Sequence, residues 1–221
     1  MFQHDYSPLA VSVDLAIFTI RDQQLRLRLI RRSGEPYRGR WALPGGFVHL
    51  DESLDAAARR KLGEETGVGG AYLEQLYTFG QPERDPRGRV IAVAYYALIP
   101  TDRLRWRTAA DAEAIGWFAL DELPELAFDH ADIVALAHQR LSAKVDYSTI
   151  AFQLMPEKFT LAELQAVYEI ILRAQIDKRN FRKRILALDQ LEKTGEVRRV
   201  GVHRPAQLYQ VKHPGETINF K

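Results

Sequence analysis

The sequence predicts a two-part chain: a mixed-strand α/β (α+β) sandwich over residues 1–145, then a smaller unit of two capped helices and a hairpin over residues 146–221. Three observations carry that expectation. Apolar runs of strand length share the first part with amphipathic helical segments, which implies strands packed against helices. The second part opens a helix with a capping box, Thr160 answered by Glu163 three residues on. Charge is also divided. Residues 146–221 hold 13 Lys/Arg against 9 Asp/Glu, and residues 1–145 hold 18 against 20. A basic unit beside an acidic one suggests two partners of different kinds, although charge alone equally describes a solvated helix face.

In order along the chain, Val11–Ile20 is apolar and β-branched and reads as a buried strand. Gln24–Arg31 alternates Leu with polar residues, the period of a half-buried strand, and Arg21-Asp-Gln makes a tight turn between the two. Ser33–Arg40 is a polar loop, and Trp41-Ala-Leu-Pro-Gly-Gly-Phe-Val breaks at its centre. Leu54, Ala57, Ala58 and Leu62 form a helical stripe that Asp51 or Ser53 can cap and Gly67 can end. Ala71–Phe79, Val90–Ile99 and Ile115–Leu120 are strand candidates, and Asp129–Lys144 is helical. Character changes around Ala143–Thr149. Ile150–Leu154 is expected as a short strand, followed by a helix to about Arg173 with Leu161, Leu164, Val167, Tyr168 and Ile171 as its stripe. Asp177 caps a second helix, expected to run to about Glu192 and to end at Gly195; Glu196–Val202 and Gln207–Lys212 follow as strands.

Composition excludes several classes. With no cysteine there are no disulfides, thiolate metal sites or cysteine nucleophiles, which fits a cytoplasmic protein. No apolar run approaches the roughly 20 residues of a membrane span, and Met-Phe-Gln-His-Asp-Tyr has neither the basic start nor the apolar core of a signal peptide. None of the six histidines shows ligand spacing; His49 is expected to be structural or solvent-exposed.

The chemistry concentrates between Gly46 and Val68. Gly45 and Gly46 let backbone approach a phosphate, and a helix N-terminus favours negative charge. Glu64 and Glu65 end the same helix, and hard carboxylates suit Mg²⁺, which can bridge diphosphate oxygens. Arg60 and Glu64 stand at i, i+4 and can pair. Gly46, Glu52, Arg60, Leu62, Glu64, Glu65, Gly67 and Val68 together resemble the Nudix signature, a loop–helix–loop that hydrolyses nucleoside diphosphates linked to another group. The resemblance implies a glutamate after Arg60 that helps hold the catalytic metal. Here that residue is Lys61, within a turn of Glu64 and Glu65, and it changes the charge of the box by two units. The expectation is a domain that binds a diphosphate-containing ligand and hydrolyses it weakly or not at all. No cofactor is expected to be required, and Glu64 and Glu65 remain the candidate Mg²⁺ ligands.

Thr78-Phe-Gly-Gln-Pro-Glu-Arg-Asp-Pro-Arg-Gly-Arg-Val resembles the loop of Nudix proteins of the ADP-ribose type. Its Arg84, Arg87 and Arg89 can meet phosphates or simply be solvated. Tyr37, Trp41 and Phe47 flank the box and can stack on adenine or serve as core.

The order helix, short strand, helix, turn, helix, two strands in the second part is that of a winged helix-turn-helix. Lys178, Arg179, Asn180, Arg182 and Lys183 would then open the helix that enters the major groove. Arg and Asn suit base edges there, and Lys suits phosphates. The wing would carry Arg198, Arg199, His203 and Arg204 toward the adjacent backbone. A dimerising accessory domain is the plain alternative. Phe159-Thr-Leu-Ala-Glu-Leu-Gln-Ala-Val-Tyr-Glu, Asp177-Lys-Arg-Asn-Phe-Arg-Lys-Arg-Ile-Leu, Thr194-Gly-Glu and His203-Arg-Pro-Ala-Gln-Leu-Tyr resemble the C-terminal domain of the Nudix-related transcriptional regulators of bacterial NAD metabolism. The resemblance spans nearly the whole chain and implies an ADP-ribose-sensing repressor that binds palindromic double-stranded operators as a homodimer. An active ADP-ribose pyrophosphatase with an accessory domain, and a regulator of the same architecture sensing a sugar phosphate, stand as alternatives.

Overall fold

Alternate residues of the first strand face two different cores. In β1 (Ala10–Arg21), Val13, Leu15 and Ile17 pack into one apolar cluster and Ala16 and Phe18 into another. A strand covered on both faces needs apolar residues at both phases, which is why β1 reads as an unbroken hydrophobic run. The computed structural model describes residues 9–104, 115–199 and 205–220.

The described residues of the first part form one mixed sheet. β1 runs parallel to β6 (Val90–Leu98), which pairs antiparallel with β5 (Tyr72–Phe79). On its other edge β1 meets β2 (Gln24–Arg31) through a two-residue hairpin, with Asp22 and Gln23 at φ 51° and 58°. Positive φ at both central positions matches the right-handed twist of the flanking strands. β1 and β2 stay paired only over Phe18–Arg21 and Gln24–Leu27. Beyond that they part. β1 takes β4 (Gly45–Phe47) as its partner, while the far end of β2 takes β3 (Trp41–Ala42). β7 (Ile115–Ala119) lies along the other edge of β2.

Helix α1 (Leu54–Thr66) covers one face of the sheet with Ala57, Ala58 and Leu62. Ser53 is the residue that caps it, accepting from the Ala56 N–H at 3.2 Å, and Gly67 ends it at φ 68°. Helix α2 (His130–Tyr147) covers the other face with Ile133, Ala137, Leu141 and Val145.

That second core continues without a break into the C-terminal unit, through Phe159, Leu164, Tyr168, Phe181 and Ile185. Helix α3 (Leu161–Leu172) has both bonds of its capping box: Thr160 Oγ1 accepts from Glu163 N, and Glu163 accepts from Thr160 N at 2.7 Å. Asp177 caps α4 (Lys178–Ala187), and strands β8 (Leu191–Arg198) and β9 (Ala206–Val211) form the hairpin. Two expectations are corrected. Ile150–Leu154 is a buried 3₁₀ helix, and the short strand's place is taken by Phe159, whose backbone exchanges hydrogen bonds with Tyr209. Helix α4 stops at Leu188 rather than near Glu192, with Asp189 at φ 52°, and Gly195 lies inside β8 at its register shift.

Candidate functional site

The parting of β1 and β2 opens a fork, and a cleft of about 640 Å³, counting the space at its open mouth, sits in it. β1 contributes Ser12 and Asp14. Ile30 and Arg32 come from the end of β2, and Leu43 and Gly45–Phe47 from β3, β4 and their junction. The loop after β5 supplies Arg84, Asp85 and Arg87, and the start of α2 supplies Phe128 and His130. Gly45 can only be glycine, since a Cβ there would lie 2.5 Å from the Val13 carbonyl oxygen and 2.6 Å from Asp14.

The floor of the cleft is ionic, with Asp14, Arg84 and Asp85 buried and Arg87 exposed at its edge. Arg84 grips Asp129 with two bonds, 2.9 and 2.6 Å, and reaches Asp14 at 3.3 Å. Arg87 forms a matching pair with Asp85 at 2.9 and 2.6 Å, which holds the Asp85 carboxyl below its usual range. His130 Nδ1 accepts from the Leu43 N–H at 2.9 Å, and burial pushes its pKa down, so the ring is neutral and anchors α2 to the β3–β4 turn.

The Gly46–Val68 box lies at the rim, and each of its three glutamates is already paired. Glu52 receives two bonds from Arg60, 2.9 and 2.5 Å, and that contact holds its carboxyl at about 2. Glu64 binds Lys61 at 2.8 Å and Arg60 at 3.1 Å; Glu65 meets Arg28 at 3.5 Å. The Lys61 stem lies on the Gly46 backbone, where a Cβ would come 2.5 Å from its Cε. Three carboxylates against Arg28, Arg60 and Lys61 make a donor set with no net charge. A divalent cation held by hard anionic oxygens does not suit that set, because it would have to break existing pairs. Among the described residues, no three Asp, Glu or His side chains are grouped to hold a metal.

The second candidate surface is α4. Phe181 and Ile185 are its buried side. Lys178, Arg179, Asn180, Arg182 and Lys183 are all exposed. No ion pair among the described residues engages Lys178, Arg179, Arg182 or Lys183. The N-terminal half of α4 therefore presents donors and positive charge free to meet an anionic surface.

Residues 10–137 match the NUDIX domain model, and residues 151–211 match the NrtR DNA-binding winged helix domain. Over 220 residues the chain is 41% identical to a protein of Acinetobacter baylyi described as "ADPR responsive transcriptional repressor NtrR", covering 98% of this chain and 87% of that one. The chain belongs to the NrtR family. Shewanella oneidensis NrtR complexed with a 27mer DNA matches it with a TM-score of 0.83 at 40% identity, over 91% of this chain and 93% of that one. The NUDIX domain of the same Shewanella protein complexed with ADP ribose matches at 0.53 and 37% identity, over 63% of this chain and 94% of that one.

In this NrtR-family chain the cleft gathers Gly45, Gly46, Phe47, Arg84 and Arg87 from among the residues expected to bind ligand. It does not gather the others. Trp41 packs edge-on against Phe118 at 4.7 Å, Tyr37 packs against Phe128 at 4.9 Å outside the lining, and Arg89 turns to the Gly80 carbonyl. Arg198 is drawn to Glu163 at 2.5 Å and the Lys158 carbonyl at 3.2 Å, away from Arg199, which is exposed. His203 and Arg204 lie outside the described residues. His49 is exposed, as expected. Sequence reasoning missed Asp14, Arg32, Asp85, Phe128 and His130. Arg32 adjoins the loop entered from β2, and Phe128 precedes a helix start; no local motif joins them.

Proposed function

We propose that this chain is an ADP-ribose-responsive transcriptional repressor. It binds operator DNA as a homodimer in the cytoplasm, acts on genes of NAD metabolism, and senses ADP-ribose in the cleft between β1 and β2. Helix α4 enters the major groove, with Arg179 and Asn180 at base edges and Lys178, Arg182 and Lys183 at phosphates. The observation that carries this reading is the pairing, on one chain, of an exposed basic helix whose Lys178, Arg179, Arg182 and Lys183 enter no ion pair among the described residues with a cleft that gathers Arg32, Arg84 and Arg87 beside a box whose glutamates are paired with Arg28, Arg60 and Lys61. The chain-long likeness to an ADPR responsive repressor supports it. Hydrolysis by the neutralised box is weak, and no divalent cation is needed for sensing.

A gel shift tests this with the full-length protein and the DNA upstream of its own gene and of neighbouring NAD-metabolism genes. The expected result is a retarded complex whose affinity changes when ADP-ribose is added and whose log affinity falls linearly with log salt, as counterion release requires. Multiple-turnover, metal-dependent ADP-ribose cleavage together with no DNA binding would replace this reading with that of a pyrophosphatase carrying an accessory domain.

A further inference from the structure

Three guanidiniums line the cleft, and they are not equivalent. Those of Arg84 and Arg87 are each held by a carboxylate through two bonds, to Asp129 and Asp85 respectively. Arg32 has no carboxylate partner among the described residues. Its Nε donates to the Pro36 carbonyl at 2.7 Å, and its Cζ lies 4.7 Å from the centre of the Phe128 ring. These two contacts fix the orientation of the planar group while leaving its two terminal nitrogens without an acceptor among the described residues. Arg87 lies over the same ring at 5.9 Å and over the Phe47 ring at 5.5 Å. Burial and the neighbouring Arg87 charge lower the Arg32 pKa, while Asp85, Glu35 and Asp14 act against them from beyond ion-pair distance, so the cleft holds a cation without a bonded carboxylate where a second cation is close. Such a pair is relieved by an anion with oxygens to share, and a guanidinium fork matches phosphate geometry.

The charge of a diphosphate is commonly offset by a hard divalent cation, and the paired carboxylates of this box do not suit one. We propose that Arg32, with Arg87 beside it, binds the diphosphate of the effector directly and takes over the charge-neutralising task of the metal, so that effector recognition is independent of divalent cations. This rests on reading the cleft as the effector site. It assigns the anchoring to a residue outside the box and places Arg84 in the supporting floor, committed to Asp14 and Asp129.

The test is calorimetric titration of the full-length protein with ADP-ribose, and separately with inorganic diphosphate, each in Mg²⁺ and in EDTA. The variants are Arg32→Gln, Arg32→Lys and, as a control, Arg31→Gln. Arg31 stands next in the chain and turns its Nε to the Gly39 carbonyl. The wild type is expected to bind ADP-ribose with the same affinity, within about twofold, in either buffer, since a site without a metal has nothing for the chelator to remove. Arg32→Gln is expected to weaken ADP-ribose about tenfold or more, the scale of a lost charge-assisted contact. Arg32→Lys should recover part of that loss, and Arg31→Gln should leave binding unchanged. Thermal melts separate lost binding from lost folding, and partial rescue by Lys would not follow a merely structural defect. Collapse of wild-type affinity in EDTA, or an Arg32→Gln affinity within twofold of wild type, overturns the proposal. If the wild type ignores ADP-ribose but binds inorganic diphosphate in an Arg32-dependent way, the anion pair stands and the effector assignment falls. If it binds neither, both fall.

Discussion

At the scale of single residues, Lys61 decides what the box can do. Its ammonium binds Glu64 and pulls the carboxyl below its usual range, and its stem lies along Gly46. Arg60 is shared between Glu52 and Glu64, and Arg28 reaches Glu65 from the sheet. With Glu52 at about 2 and Glu64 also lowered by Lys61 and Arg60, these two carboxylates stay ionised and paired throughout the neutral range, and their pairs dissolve only as acid approaches those lowered values. Lys61→Glu changes the box by two negative charges and frees the Glu64 oxygen that Lys61 holds, while Arg60 stays on the other. The expected outcome is a gain of Mg²⁺-dependent ADP-ribose hydrolysis, measured by product formation, of at least about tenfold over a low wild-type level, because metal binding follows the net charge of its ligands. Enzyme-level turnover by the unaltered chain would show that Lys61 is no obstacle.

At the scale of elements, Glu163 does two jobs from one side chain. One oxygen closes the capping box of α3 on the Thr160 N–H, and the other binds Arg198 of β8. Thr160→Ala is expected to lower unfolding free energy by about 1 kcal/mol in a denaturant melt, the usual worth of an N-cap. Because Arg198 is held by Glu163 and the Lys158 carbonyl, Arg198→Ala should reduce DNA affinity less than Arg179→Ala or Arg182→Ala, whose side chains are exposed and unpaired. Fluorescence anisotropy on one operator duplex ranks the three, and equal losses would mean that β8 contacts DNA as α4 does. The longer strands β1, β2, β5, β6 and β7, the caps and the turn between α3 and α4 were legible in the sequence because each is set by near neighbours: a period, a Ser, Thr or Asp before a stripe, a glycine at positive φ. The short β3 and β4 were not, and β8 begins at Leu191 rather than Glu196. Errors arose where two patterns share a phase. Leu188 and Leu191 continue the stripe of Phe181 and Ile185, so the helix seemed to run on, yet Leu191 is the first inward residue of β8. Ile150–Leu154 is mostly buried, and such a run has no period to separate strand from 3₁₀ turn. The cleft was half legible. Its glycines and its 84–87 loop lie in motifs, whereas Asp14, Arg32 and Phe128 meet only because β1 and β2 part.

At the scale of the whole molecule, α2 joins the two sites. At one end, Asp129 and His130 are fixed in the cleft by Arg84 and by the Leu43 N–H, with the Phe128 ring beside Arg32. About two and three turns on, respectively, His138 Nε2 and the Ser142 hydroxyl both meet the carbonyl of Ile171, in the last turn of α3, each at 3.2 Å. Helix α3 in turn packs on α4 through Tyr168 and Phe181, edge to face at 5.1 Å. A helix of 18 residues spans about 27 Å, so an effector that shifts its first turn is expected to shift the carbonyl end of α3 as well. Effector and DNA can influence each other only by differential affinity for two arrangements of these elements, and the coupling must be the same in both directions. The double variant His138→Ala/Ser142→Ala removes both polar links from α2 to α3 and leaves the cleft and α4 untouched. It is expected to keep ADP-ribose affinity within about twofold and to bind operator DNA without effector much as the wild type does. The factor by which ADP-ribose changes DNA affinity should shrink severalfold from a starting value in the range of about 5–150. The same shrinkage must appear when ADP-ribose binding is measured with and without operator DNA, and an undiminished factor in both experiments would remove α2 as the connecting element.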